Sequence, residues 1–145
     1  MKSPIKWTST RSEAFMSDAH GRDHVSKIEI ALDADNNFTA LRTETYANMG
    51  AYLSTFAPSV PTWLHGTLMA GTYRTPLIYV NVKAVCTHPV PVDAYRGAGS
   101  PDATYQLERR IDECAPEQGV EPTQLRPPHF LKPNTYPTSP PATGD

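Results

Sequence analysis

From Ile28 to Tyr46 the chain alternates in side-chain character on both sides of a short polar break. Ile28, Ile30 and Leu32 share one face, with Glu29 and Ala31 on the other, the period of a half-buried strand. Asp33-Ala34-Asp35-Asn36-Asn37 is a cluster of turn formers. Phe38 to Tyr46 then sets Leu41, Thr43 and Thr45 against Arg42, Glu44 and Tyr46. This pattern predicts a β-hairpin. A second alternating run, Ile78, Val80, Val82, Ala84 and Cys86, predicts a further strand. His88-Pro89-Val90-Pro91 ends it, because proline cannot donate to a ladder. Trp7 to Phe15 reads as a strand and a turn ahead of the hairpin.

One long helix is legible after Gly99. Ser100 is a good N-cap, Pro101 suits the first helical position, and Asp102 places negative charge in the first turn. Ala103, Leu107, Ile111, Cys114 and Ala115 then form an apolar stripe, with Glu108, Arg109, Asp112 and Glu113 on the wet side. Pro116 should stop or kink the helix. Between hairpin and third strand, Asn48, Gly50, Pro58 and Pro61 break any long element. Pro61 opens a short helix over 62–70, with Gly71 in the C-terminal cap position. Eight of the 15 prolines fall in the last 30 residues. The chain therefore divides into a domain part, residues 1–118, and a proline-rich, irregular and partly disordered tail, residues 119–145. The fold class is α+β: a hairpin-rich sheet, one more strand and a packed helix.

A length of 145 residues supports a single core. Net charge is −2 with no basic block, which removes the electrostatic basis for binding nucleic acid. No apolar run is long enough to span a bilayer, and no apolar segment follows Met1-Lys2-Ser3-Pro4, so a cytoplasmic protein is expected. Cys86 and Cys114 lie outside any Cys-x-x-Cys pair, so no zinc site, iron–sulfur site or disulfide is expected within the chain. His20 and His24 are four apart, but Gly21 and the strand that follows argue against the helix that a metal spacing needs. His88 and His129 flank prolines and read as loop residues, and Trp7 and Trp63 as core or interface aromatics.

Gly97 and Gly99 run into a helix N-terminus, a place where backbone approaches an anionic oxygen closely; a tight turn alone also accounts for them. Around them, Ala94-Tyr95-Arg96-Gly97-Ala98-Gly99-Ser100-Pro101 resembles the segment of the xanthine dehydrogenase/aldehyde oxidase family that lies against the molybdenum centre. Ile5-Lys6-Trp7-Thr8-Ser9-Thr10-Arg11-Ser12-Glu13-Ala14-Phe15 is similar to the same family's large, molybdopterin-binding subunit. So are Ala19-His20-Gly21-Arg22-Asp23-His24 and Ala47-Asn48-Met49-Gly50-Ala51-Tyr52. The resemblance extends from about Ile5 to about Phe130.

The resemblance implies a piece of the catalytic subunit of a molybdenum hydroxylase, which hydroxylates an aldehyde or N-heterocycle with water as oxygen source. It implies a molybdenum–molybdopterin cofactor here, with iron–sulfur clusters and FAD on partner subunits or domains. In that family a molybdenum-bound hydroxo oxygen attacks an electron-poor carbon, hydride passes to a sulfido ligand, and a glutamate is general base. By the same resemblance Tyr95, Arg96, Gly97, Ala98 and Gly99 face the cofactor, and backbone amides around Arg96 to Ala98 face the oxo group or substrate. Leu64 and Ala98 shape the substrate pocket. Gly97 stands where carbon-monoxide-oxidising members carry a copper-binding cysteine, which implies no copper. Ala98 stands where purine-oxidising members carry Phe, and Leu64 lies near the position of their Arg, which implies a roomier, more apolar pocket.

Two segments depart from the family pattern. Ser100 replaces the usual Arg or Gly, and Leu125-Arg126-Pro127-Pro128-His129-Phe130 resembles an altered Leu-Arg-x-x-Asn-Phe segment. The family's upstream glycine-rich loop and its catalytic glutamate have no counterpart here, so no catalytic residue is expected within the chain. Exposed apolar surface is expected where the rest of the subunit would pack. The alternative is a truncated, non-catalytic domain that binds no cofactor and docks on another subunit.

Overall fold

The computed structural model describes residues 3–135. Its first element corrects the strand and turn expected over Trp7 to Phe15, because α1 (Arg11–Ser17) is a helix. The cause is local. The Glu13 amide donates to Thr10 Oγ1 at 3.3 Å, and the Thr10 amide donates to Glu13 Oε2 at 2.7 Å. This reciprocal capping box satisfies donors that would otherwise need a ladder. α1 buries none of its residues.

The sheet has three strands, β1 (His24–Leu32), β2 (Phe38–Gly50) and β3 (Leu77–Cys86), in that order. β1 and β2 form the expected antiparallel hairpin, with Ser26 opposite Thr45, Ile28 opposite Thr43 and Ile30 opposite Leu41. Asp33 Oδ1 accepts from the Asp35 and Asn37 amides at 2.9 and 2.8 Å and holds the turn. β2 continues through Asn48 to Gly50, so those residues do not break it. Leu41, Thr43, Thr45, Ala47 and Met49 all face inward. β3 pairs parallel to β2, with Thr43 beside Val80 and Thr45 beside Val82.

Parallel neighbours need a long crossover. Here it includes a helical run of changing pitch in place of a uniform helix over 62–70. A 3₁₀ turn (Ala57–Ser59) leads into a π turn (Val60–Leu64) and then α2 (His65–Thr67). Pro58 and Pro61 sit at the starts of their turns, where a missing amide costs nothing. Gly71 follows at φ +56°, as a helix end requires.

α3 (Ser100–Glu117) packs on the sheet. Its predicted stripe of Ala103, Leu107, Ile111, Cys114 and Ala115 is buried against Phe38, Leu41, Met69, Tyr73 and Leu125. Pro116 lies in the last turn, and the helix ends one residue later. Two of the wet-side residues, Glu108 and Asp112, hold neighbouring elements. Glu108 accepts from the Tyr73 hydroxyl at 2.7 Å and from Arg126 Nε at 2.8 Å, and Asp112 accepts from Arg126 Nη2 at 2.7 Å.

Arg126 belongs to the segment expected to be irregular. Its described part holds short turns. α4 (Pro122–Leu125) and two 3₁₀ turns, Pro127–His129 and Pro133–Thr135, each begin at or just after a proline. Leu125 and His129 are buried, and the His129 ring stacks on Phe38 at 3.9 Å between centroids. Residues 136–145 lie outside the described residues.

Cys86 is exposed, Cys114 is buried, and both are free. Trp7 and Trp63 are 68% and 67% exposed, so neither is a core residue. Among the described residues no helix is long and apolar enough to cross a membrane. The stripe predicts that Ile111→Ala lowers unfolding free energy in urea by about 2–5 kcal/mol. Glu113→Ala, on the exposed face with its Arg109 pair, should cost less than about 1 kcal/mol.

Candidate functional site

Two distant segments meet ahead of α3. The His20 amide donates to the Pro91 carbonyl at 3.0 Å, and the Asp93 amide donates to the His20 carbonyl at 2.8 Å. This bridge lays residues 19–24 beside residues 91–96. Gly21 is pressed against Tyr95, where a Cβ would stand 2.7 Å from Tyr95 Cβ. Arg22 then reaches over the loop. Its Nη2 donates to the Arg96 carbonyl, its guanidinium lies 4.7 Å from the Tyr95 ring centroid, and its Nε is 4.0 Å from Asp102 Oδ2.

The loop itself is left-handed for three residues: φ is +94° at Gly97, +36° at Ala98 and +89° at Gly99. The Ala98 amide donates to the Tyr95 carbonyl at 2.8 Å and the Ser100 amide to the Gly97 carbonyl at 3.0 Å, closing two overlapping turns. A Cβ on Gly97 would stand 2.7 Å from the Pro101 ring. A Cβ on Gly99 would stand 2.8 Å from the His65 amide nitrogen and 2.9 Å from the Val60 carbonyl oxygen. Both positions therefore need glycine for space as well as for φ.

This geometry corrects the N-cap. Gly99 caps α3, Ser100 is its first helical residue, and no side chain caps it. The left-handed turn at Gly99 swings the chain into the helix one residue earlier than a serine cap would. Pro101 thus falls at the second helical position.

Of the expected site residues, Tyr95, Arg96 and Gly97 are exposed, Ala98 is half-buried and Gly99 is buried. Among the described residues no ion pair engages Arg96, and Asp102 faces Arg22 and His24. Asp93, the other carboxylate near it, accepts instead from the Ala94 amide at 2.7 Å. Nothing among the described residues accepts from the amides of Arg96 and Gly97. Leu64 is half-buried in the same junction, and its carbonyl carbon lies 3.1 Å from where a Gly99 Cβ would stand.

His20 and His24 do not converge. His20 is exposed in the bridge. The His24 side chain turns inward, with its ring 5.6 Å from that of His65 and Nδ1 3.6 Å from Asp102 Oδ1. His65 is fully buried, and neither ring nitrogen has a hydrogen-bond partner. Burial, then the neighbouring His24, push the His65 imidazolium down to about 4. Burial also lowers His24, against the opposing pull of Asp102 and Asp23. Sequence reasoning missed His65, since a single histidine in a proline-broken stretch carries no pattern. Among the described residues no group of His, Cys, Asp or Glu is arranged to hold a metal ion.

The left-handed glycine loop with its open amides is thus backed by an 18-residue helix and a three-stranded sheet. The family model described as "Molybdopterin cofactor-binding domain" matches residues 1–128, and the chain belongs to that family. It is 36% identical to the 6-hydroxypseudooxynicotine dehydrogenase complex subunit gamma of Paenarthrobacter nicotinovorans, over 94% of this chain and 17% of that protein. It is 28% identical to the carbon monoxide dehydrogenase large chain of Hydrogenophaga pseudoflava, over 92% of this chain and 17% of that one. Among solved structures, quinoline 2-oxidoreductase from Pseudomonas putida 86 superposes with a TM-score of 0.84 at 27% identity, covering 92% of this chain and 17% of that one. The chain thus spans about a sixth of the length of the relatives it matches. Its fold is an α+β fragment of that larger molybdenum-binding architecture.

His65 generates a pH prediction. It is held neutral when folded and titrates near 6.5 when unfolded, so its contribution to stability is complete above about pH 6.5 and is lost as pH falls towards 4. The thermal midpoint should fall across that window, and His65→Leu should flatten the fall in a melting series from pH 7 to pH 4.

Proposed function

We propose that this chain is one wall of the molybdenum pocket in the large subunit of a molybdenum hydroxylase that acts on an aldehyde or an N-heterocycle. The observation that carries the reading is the loop from Tyr95 to Gly99. It presents two unengaged amides and an unpaired guanidinium at the start of a long helix. An anionic oxygen is stabilised there by donors and by the helix end.

The residues fit the cofactor that the family description names. When bound, the molybdenum–molybdopterin group supplies the redox chemistry. The chain's own contribution is positioning and charge. Arg96 stays cationic at any working pH and offers a planar fork of donors. Gly97 has no thiol with which to hold copper. Ala98 and Leu64 leave a small, apolar wall. The names of relatives such as nicotine 6-hydroxylase and quinoline 2-oxidoreductase support an N-heterocyclic substrate.

Glu108 and Asp112 are committed to Tyr73 and Arg126, so neither is free to be the general base. In this reading the base belongs to another part of the subunit, and iron–sulfur and FAD groups on partner subunits or domains would supply the electron-accepting chemistry, in the cytoplasm. In this proposal residues 1–118 are part of the molybdopterin-binding domain, with 119–145 as a proline-rich extension. Trp7, Tyr52, Leu53, Phe56 and Trp63, all exposed, support burial against the rest of the subunit.

In an assembled, molybdenum-loaded enzyme, Arg96→Ala should lower kcat/KM by about a hundredfold, the order for one donor to developing charge. Unchanged kinetics and molybdenum content would contradict the cofactor-facing role and leave a docking domain. Purified by itself, the chain should hold no molybdenum by elemental mass spectrometry. Bound molybdenum would show that these residues suffice as a cradle.

A further inference from the structure

We infer that Arg22 is the positioning residue of the Tyr95–Gly99 loop, aiming the Gly97 amide outward toward whatever the loop binds. The functional part of this inference rests on the reading of the loop as cofactor-facing; the anchoring part does not. Arg22 sits at φ +60°, a backbone conformation that residues with a Cβ avoid. Such a conformation persists only where the surroundings hold it. Here it directs a side chain across 74 residues of sequence to the Arg96 carbonyl.

The consequence follows from peptide geometry. The Arg96 carbonyl and the Gly97 N–H belong to one trans, planar peptide and point in opposite directions. When Arg22 Nη2 holds the carbonyl on the Arg22 side, the Gly97 N–H is turned to the other side. Gly97 is exposed, and its amide has no acceptor among the described residues. The same guanidinium lies over the Tyr95 ring and faces Asp102 in the first turn of α3. It thereby ties the first residue of the loop, the peptide within it and the helix after it to one planar group. Lysine cannot do this, since its compact ammonium neither stacks nor forks.

The test is amide exchange by NMR on the chain as it stands, with no cofactor. The Ala98 and Ser100 amides close the two turns of the loop, and the Leu41 and Thr43 amides report the sheet. Arg22→Gly relieves the positive φ but removes the anchor. It should speed exchange at Ala98 and Ser100 about tenfold, the order for a lost charge-assisted hydrogen bond, with the sheet amides within about twofold. Arg22→Lys, which keeps the charge and one donor, should fall between Arg22→Gly and the parent. Unchanged exchange at Ala98 and Ser100 in Arg22→Gly would overturn the inference, as would a loosening shared equally by Leu41 and Thr43. A loosened loop alongside a silent Arg96→Ala would keep Arg22 as the anchor and remove the cofactor role from the loop.

Discussion

The close approach of Gly99 to the backbone of the helical run is the contact on which the site depends. A single added carbon there would stand within 3 Å of both the His65 nitrogen and the Val60 oxygen, atoms that cannot swing aside as a side chain can. The contact lies where α3 begins, against the backbone of the fully buried His65. Leu107, two turns on, lies 2.7 Å from where a Gly71 Cβ would be, so the packing is equally tight at the end of the crossover. Interiors packed at this density transmit a shift at one contact to the next.

The two ends of α3 are built differently. Beyond Leu107 the helix buries an aliphatic stripe against the sheet and α4. Nearer its start it covers a polar layer. Gln106 Nε2 donates to Ser26 Oγ at 2.9 Å, Ser26 and Thr45 share a hydrogen bond of 2.8 Å, and Asp102 faces His24. Several polar atoms there lack partners, among them both His65 nitrogens and Thr43 Oγ1. Buried polar groups without partners cost stability. The apolar end holds the helix, while the polar end holds the loop in shape. Together with Arg22, that division keeps strained backbone in place at Ala98.

What the sequence disclosed was set by the range of each signal. The hairpin and the α3 stripe were legible because each repeats with its own period over many residues. The glycines at 97 and 99 were legible as a close-approach turn from their place just ahead of a helix start. α1 was also written locally, in the Thr10 and Glu13 pair, but the apolar letters around it resembled a strand. The parallel pairing of β3 depends on the path of the crossover, which alternation cannot reveal. Ser100 had the chemistry of a cap, yet Gly99 took the position because only a residue without Cβ fits against His65. His65 carried no pattern, and the anchoring role of Arg22 was hidden, since their partners lie 41 and 74 residues away in His24 and Arg96.

The central claim separates from ordinary glycine preference by comparing two positions. Gly99 and Gly119 both have positive φ, but a Cβ on Gly119 would meet nothing within 4 Å. Urea unfolding of Gly119→Ala should show a loss of about 1–2 kcal/mol, the cost of a left-handed alanine. Gly99→Ala should lose that plus about 1–3 kcal/mol for overpacking against fixed backbone. Equal losses at the two sites would show that Gly99 is needed for its φ alone, and that its seat on the Val60 and His65 backbone does not organise the loop.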